Sequence, residues 1–288
     1  MIKGTTRVCG LIGNPVGHSL SPFIHNKLSE AMGTDMAYVT FKVENDIVSA
    51  VKGAYELNIL GLNVTVPWKE GVMQALSGID EAAKKIGAVN TLVRSDGGYI
   101  GYNTDILGIK RELLEEGVVI KDNTVVILGA GGAARSIAVL MAISGADKIY
   151  ILNRTLEKAE NISESVKKAC DYDNIVPLGI SDHSKIAEKD YVVIQTTSVG
   201  LYPNVSDSPI SDRTFFENAK CGVDIIYNPF ETRFMQLMKE AGKPAYNGLK
   251  MLLYQAVAAF ELWQEVSVPA DVIDKVYNDL QGELLKRK

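Results

Sequence analysis

The stretch Gly129-Ala130-Gly131-Gly132-Ala133-Ala134 constrains this chain more than any other. It follows an apolar run, Thr124 to Leu128, that reads as a buried strand. It also opens a segment of helical spacing, Ala133 to Ile143. A second apolar strand, Lys148 to Leu152, comes next. Strand, glycine turn, helix and strand in that order make one unit of a parallel α/β sheet. Gly129, Gly131 and Ala134 fill the three small positions of G-x-G-x-x-G/A. Small residues there let backbone N–H groups approach a pyrophosphate, whose charge a helix N-terminus favours. The turn predicts dinucleotide binding, against the plainer reading of a tight strand–helix connection. An NAD site usually carries Asp or Glu about 20 residues further on, to hold the ribose hydroxyls. Here the second strand runs into Asn153-Arg154-Thr155. An acid would repel a 2′-phosphate, whereas a guanidinium with two small polar groups can cradle it. The expected cofactor is NADP rather than NAD, although Arg154 alone also fits a solvated surface cation.

Strand-like and helix-like segments alternate along the rest of the chain, so the class is α/β. Val8–Ile12, 37–43 and 60–66 read as strands; Val89–Arg94 and Tyr99–Gly101 flank a turn at Asp96-Gly97-Gly98. A helix opens at Ser21-Pro22, with Ser21 as its cap, and Gly33 closes it. A second helix spans about residues 45–57. After the helix 106–116, further strands are expected at 191–194 and 223–226, with a long polar loop from Leu201 to Arg213. The last forty residues read as two helices, Leu249 to Trp263 and one opened by Pro269. At 288 residues the length suits about two domains. Residues 1–105 and 248–288 are assigned to one, and 106–247 to the dinucleotide-binding one.

Thirty basic against thirty-five acidic residues give a net charge of −5, a poor surface for nucleic acid. Three scattered cysteines, Cys9, Cys170 and Cys221, suit neither a disulfide framework nor a metal site, and no metal is expected. The start, Met1-Ile2-Lys3, lacks a signal pattern, and no uncharged apolar run is long enough for a membrane span. A cytoplasmic protein without membrane partners is the expectation, as a monomer or a homodimer.

Outside the glycine unit, Asn63-Val-Thr65-Val-Pro-Trp-Lys69 places Asn63 and Thr65 on one strand face and Lys69 just past the strand end. In open α/β sheets, ligands bind beyond the carboxyl ends of strands. Taken singly, these residues have bland readings. Lys69 fits a surface lysine, Asp105 a helix cap, Ser19 and Ser21 turn and cap residues, Asn90 a strand end and His18 a loop histidine. Together they say more. Gly13-Asn-Pro-Val-Gly-His-Ser19-Leu-Ser21-Pro, the Lys69 segment, Gly87-Ala-Val-Asn90-Thr and Gly101-Tyr-Asn-Thr-Asp105 come first. They are followed by the glycine turn, Asn153-Arg154-Thr155, Thr197-Ser-Val-Gly, Asp224-Ile-Ile-Tyr227-Asn-Pro and Asn247-Gly248 through Gln255. In that order, from about residue 8 to 265, they resemble the shikimate dehydrogenase family.

The resemblance implies an N-terminal α/β substrate domain and a Rossmann-type NADP domain, with C-terminal helices returning to the first. It implies reversible reduction of 3-dehydroshikimate to shikimate by hydride from NADPH, in aromatic amino-acid biosynthesis. Lys69 and Asp105 are then the catalytic pair. Ser19, Ser21 and Tyr227 would hold the substrate carboxylate, and Thr65, Asn90, Asp105 and Gln255 the ring hydroxyls. Gly129 to Ala134, including Ala130, Gly132 and Ala133, would bind the cofactor with Asn153, Arg154, Thr155 and Thr197. Ile225, Gly248 and Met251 would line the nicotinamide pocket. Leu201 and Ile225 stand where the family pattern favours methionine, both remaining apolar. The nearest alternative is a quinate/shikimate dehydrogenase using NAD or NADP. A more distant one is a non-catalytic homologue that only senses these ligands.

Overall fold

Short strands alternating with capped helices make up the computed structural model, which describes residues 2–286. The chain divides into two units, Met1–Gly108 with Leu253–Lys288, and Ile109–Leu252. In the first, β1 (Arg7–Gly13), α1 (Ser21–Met32), β2 (Met36–Lys42), α2 (Ile47–Glu56) and β3 (Gly61–Val64) give three parallel strands. β4 (Gly78–Ile79), α3 (Glu81–Ile86), β5 (Thr91–Ser95) and β6 (Gly98–Tyr102) follow. β5 runs antiparallel to both β3 and β6, so the six-stranded sheet is mixed, in the order β2-β1-β3-β5-β6-β4. Ile12, Leu62, Val64 and Leu92 pack against Ile47 and Val51 of α2 on one face. Asp46 and Asp80 cap α2 and α3 by accepting backbone amides.

The α1 cap differs from expectation. Leu20 holds the cap position and Ser21 is the first helical residue. Ser19 Oγ accepts the Ser21 amide at 3.1 Å, so the hydroxyl two residues earlier satisfies the free donor. The strand expected to end at Val66 stops at Val64, because Pro67 has no N–H to extend the ladder.

α4 (Thr104–Glu115) leads into the second unit. There β7 (Thr124–Leu128), α5 (Gly132–Ile143), β8 (Lys148–Asn153), α6 (Leu156–Cys170), β9 (Ile175–Gly179) and β10 (Tyr191–Gln195) alternate. α7 (Arg213–Glu217), β11 (Ala219–Asp224), α8 (Arg233–Glu240) and β12 (Ala245–Asn247) complete it. All six strands are parallel, ordered β12-β11-β10-β7-β8-β9. β7 and β10 are buried along their whole length, which explains their unbroken apolar sequences. Val126, Leu128, Tyr191 and Val193 meet Phe215 and Phe216 of α7 and Phe234 and Met238 of α8. The strand order reverses between β7 and β10, so the ligand crevice of such a sheet lies beyond their carboxyl ends.

Buried in α4, the Glu112 carboxyl makes no well-formed hydrogen bond. Burial, helped by the Glu116 charge, pushes it up to about 8; the charge of Lys250, itself paired with Glu115 and Glu116, only partly opposes this. Folding therefore raises proton affinity, and the sign follows. Stability falls as pH rises from the ordinary glutamate value toward 8. Between about pH 5 and pH 7 the loss is on the order of 2 kcal/mol. Chemical denaturation of Glu112→Gln is expected to show a correspondingly flatter pH profile over that interval; an unchanged slope would remove Glu112 as its source.

α9 (Leu249–Gln264) and α10 (Ala270–Lys286) return to the first unit, and α10 packs on α1. Trp263, near the end of α9, donates its Nε1–H to the Leu92 carbonyl at 2.9 Å. Its ring tilts against His25 and Tyr38, at centroid distances of 5.0 and 6.0 Å. The indole fills the space above Gly61, where a Cβ would lie 2.1 Å from Trp263 Nε1. That close approach explains a glycine at the start of β3. No described helix is long and apolar enough to cross a membrane.

Candidate active site

The segment after β3 is pinned at successive points. The Thr65 amide donates to Ile12 and the Trp68 amide to Thr65, each at 2.9 Å, while the Trp68 indole donates to Val43. The Lys69 carbonyl accepts the Val89 amide at 2.8 Å, which fixes the lysine backbone one residue from Asn90. Its side chain then reaches α4: Lys69 Nζ donates to Asp105 Oδ2 at 2.7 Å. Asn90 Nδ2 donates to the other carboxylate oxygen at 2.8 Å. The Asn90 amide is itself held, its Oδ1 accepting from the Thr104 amide at 2.7 Å and from Thr91 Oγ1 at 3.0 Å. Asp105 is not a helix cap. Asn103 Oδ1 takes the Ile106 amide, leaving the Asp105 carboxylate to face Lys69 and Asn90. With side-chain exposures of 34% and 22%, Lys69 and Asp105 stay open enough to meet a ligand.

The structure thus joins three of the expected residues, Lys69, Asn90 and Asp105, 36 positions apart at the extremes. Thr65 lies half-buried between β3 and Lys69. Ser19 and Ser21 bond each other, Oγ to Oγ at 3.1 Å, on the loop entering α1. Gln255 sits in α9 between buried Tyr254 and Ala256. His18 is exposed in its loop.

In the second unit, a cavity of about 540 Å³ opens at the carboxyl ends of β7, β8 and β10. Gly129, Ala130 and Gly131 line it from the glycine turn, Asn153, Arg154 and Thr155 from the end of β8, and Thr197 from the segment after β10. Gly129 has φ +114, a conformation that side chains rarely adopt, and a Cβ there would lie 2.6 Å from Thr196 Oγ1. Gly132 and Ala133 form the first turn of α5 beyond the cavity wall, and Ala134 is buried against the sheet. Ile225, Tyr227, Gly248 and Met251 lie elsewhere. The first two follow β11, Gly248 donates its amide to the Ile226 carbonyl, and Met251 is in the first turn of α9. One lining residue escaped the sequence reading. Lys158, in the first turn of α6 and four residues past Arg154, adds a second cation to the lining. Its spacing from Arg154 was the available signal.

Three family models together match most of the chain. One described as the shikimate dehydrogenase substrate binding domain covers residues 11–92. A shikimate/quinate 5-dehydrogenase model covers 112–206, and a shikimate 5′-dehydrogenase C-terminal domain model covers 248–276. The shikimate dehydrogenase (NADP(+)) of Caldanaerobacter subterraneus subsp. tengcongensis is 43% identical over 290 residues, 98% of this chain and 99% of that one. This chain belongs to the shikimate dehydrogenase family. Among solved structures, a shikimate dehydrogenase in complex with NADP+ superposes with a TM-score of 0.88 at 37% identity, covering 97% of each chain. Shikimate 5-dehydrogenase from Listeria monocytogenes, in complex with shikimate and NAD, gives 0.89 at 33% identity, covering 96% of this chain and 97% of that one. Ser19, Ser21, Thr65, Lys69 and Asn90 fall within the substrate-binding-domain match of the shikimate dehydrogenase family. Gly129 through Thr155 and Thr197 fall within the second match, and Gly248, Met251 and Gln255 within the third. Asp105, Ile225 and Tyr227 lie between the matched spans.

Proposed function

We propose that this chain is an NADP-dependent shikimate dehydrogenase that reversibly reduces 3-dehydroshikimate to shikimate. The observation that carries the reading is the Lys69–Asp105–Asn90 trio, an ammonium held at 2.7 Å by a carboxylate whose second oxygen is also bonded. Reducing a ring carbonyl requires a proton for the oxygen, and a positioned ammonium can give it. In the oxidative direction the neutral amine takes the proton back. Asp105 orients Lys69 and binds a neighbouring ring hydroxyl, with Asn90, Thr65 and Gln255 as further hydroxyl partners. Ser19, Ser21 and Tyr227 offer rotatable hydroxyl donors suited to the substrate carboxylate. Residues 1–105 and 248–288 form the substrate domain in this reading, and 106–247 the cofactor domain.

The cavity chemistry fits NADP. Its lining carries Arg154 and Lys158 and no acidic side chain, and the Gly129 turn adds only two glycines and Ala130. Asn153, Arg154, Thr155 and Lys158 would hold the 2′-phosphate, with the Gly129–Gly131 backbone facing the pyrophosphate. Ile225, Gly248 and Met251 would bound the nicotinamide. The bound cofactor supplies the hydride; proton handling and substrate orientation belong to the side chains named above.

The deciding experiment is a four-way assay of NADPH and NADH with 3-dehydroshikimate and 3-dehydroquinate. Turnover concentrated in the NADPH and 3-dehydroshikimate arm supports the reading. Comparable turnover of 3-dehydroquinate, or with NADH, would favour a quinate/shikimate dehydrogenase. Tight NADPH binding without turnover would favour a ligand sensor. Arg154→Ala is expected to lower kcat/KM with NADPH by about 10- to 100-fold while leaving the value with NADH nearly unchanged. Equal losses with both cofactors would place Arg154 away from the 2′-phosphate.

A further inference from the structure

The Asp224 carboxyl is fully buried at the end of β11, where an ionisable group is unfavourable unless strongly hydrogen-bonded. Oδ2 accepts from Thr232 Oγ1 at 2.6 Å. Oδ1 accepts from the Ile226 amide at 3.0 Å and from Gln195 Nε2 at 3.4 Å. Gln195, also fully buried, lies beside it at the end of β10. Its Nε2 is further directed at the carbonyls of Thr197 and Val199, at 3.3 and 3.2 Å, and its Oε1 accepts the Thr197 amide. One side chain therefore folds the residues after β10 back on themselves. Thr196 at the start of that loop donates both its amide and its hydroxyl to the Leu128 carbonyl, at 2.9 and 2.7 Å. The loop is thereby pressed onto the Gly129 turn.

We propose that Gln195 and Asp224 act as a positioning pair for the dinucleotide: Gln195 sets the 196–199 wall of the cavity against the Gly129 turn, and Asp224 fixes the Gln195 amide. This rests on the reading that the cavity takes NADP(H). Neither side chain lines the cavity, so both act through the loop backbone. The same carboxylate accepts the Ile226 amide, which ties the loop carrying Ile225 and Tyr227 to the same network.

A merely structural role makes a different prediction. Burial pushes the Asp224 carboxyl up to about 7, so its ionised form opposes folding above that pH. Asp224→Asn keeps the shape, removes the buried charge, and should leave thermal stability unchanged or higher at about pH 8. If the carboxylate positions the loop, NADPH affinity must fall in this same variant. The groups bonded to or registered with Asp224 from the neighbouring elements are uncharged: Gln195 from β10, Asn247 opposite it on β12, and Thr232 at the α8 cap. The wild-type advantage over Asp224→Asn should therefore grow as pH rises through 7.

The test is titration of the full chain with NADPH and NADH by cofactor fluorescence, paired with calorimetric melting. We expect Gln195→Met to raise the NADPH Kd about tenfold and Asp224→Asn to raise it several-fold, the latter without a fall in Tm. If Gln195→Met does not fold, Asp224→Asn decides alone. A folded Asp224→Asn with wild-type Kd at about pH 8 overturns the positioning pair and leaves the cofactor reading intact. A wild-type chain that binds neither dinucleotide overturns the cofactor reading, and the pair with it.

Discussion

Lys69→Ala is expected to fold normally and to lose about 10²- to 10⁴-fold in kcat for 3-dehydroshikimate reduction, with a much smaller change in KM. Stability should hold because the Lys69–Asp105 pair is partly exposed, and such pairs contribute about 1 kcal/mol or less. Asp105 also keeps its bond from Asn90, so the carboxylate retains one donor after the substitution. What disappears is the Lys69 ammonium hydrogen-bonded to Asp105, and with it the proton for the developing alkoxide. Steady-state kinetics with saturating NADPH separates the outcomes. A near-normal kcat with only a raised KM would make Lys69 a binding residue and end its assignment to proton transfer.

Trp263→Ala should have the largest effect on stability. Truncating a buried tryptophan removes its transfer free energy and leaves a cavity, together about 3–5 kcal/mol. Trp263 is 4% exposed, so little of that is recovered by solvent. The Leu92 carbonyl loses its indole donor as well, and His25 and Tyr38 lose a ring neighbour. Such a loss is a large share of the total stability of an ordinary domain. Thermal or urea unfolding should show it as a displaced transition. A Tm within a degree or two of wild type would mean that α9 does not help hold the first sheet.

The two-domain α/β fold and the return of the last helices to the first unit are as the sequence led one to expect. The parallel core strands were legible because burial on both faces makes them continuously apolar, as in β7 and β10. The glycine turn was legible because few backbones need small residues at that spacing. α6 escaped because its stripe is narrow: Ala159, Ile162 and Val166 are buried on an otherwise polar helix. β9 escaped because an edge strand carrying Pro177 lacks the apolar continuity of the centre. At the site, the segments holding Lys69, Asn90 and Asp105 could be picked out one by one. Their meeting could not be read from periodicity, since it depends on which strands become neighbours. Ser21 was misplaced by a local rule, a serine before proline, that Ser19 satisfied instead. Gln195 left a usable signal, an amide ending an apolar strand, which buried polar chemistry obliges to find partners.

The Trp263 contact bears on how the chain is made. Gly61 and Leu92 leave the ribosome long before Trp263, and the whole second unit is synthesised in between. The Ile109–Leu252 unit is continuous in sequence and can complete its sheet during synthesis. The first sheet must wait, with the face around Gly61 bare of its indole, until α9 and α10 emerge. Chains halted before Trp263 should therefore carry one protease-resistant unit and one sensitive one, and they are the forms most exposed to aggregation.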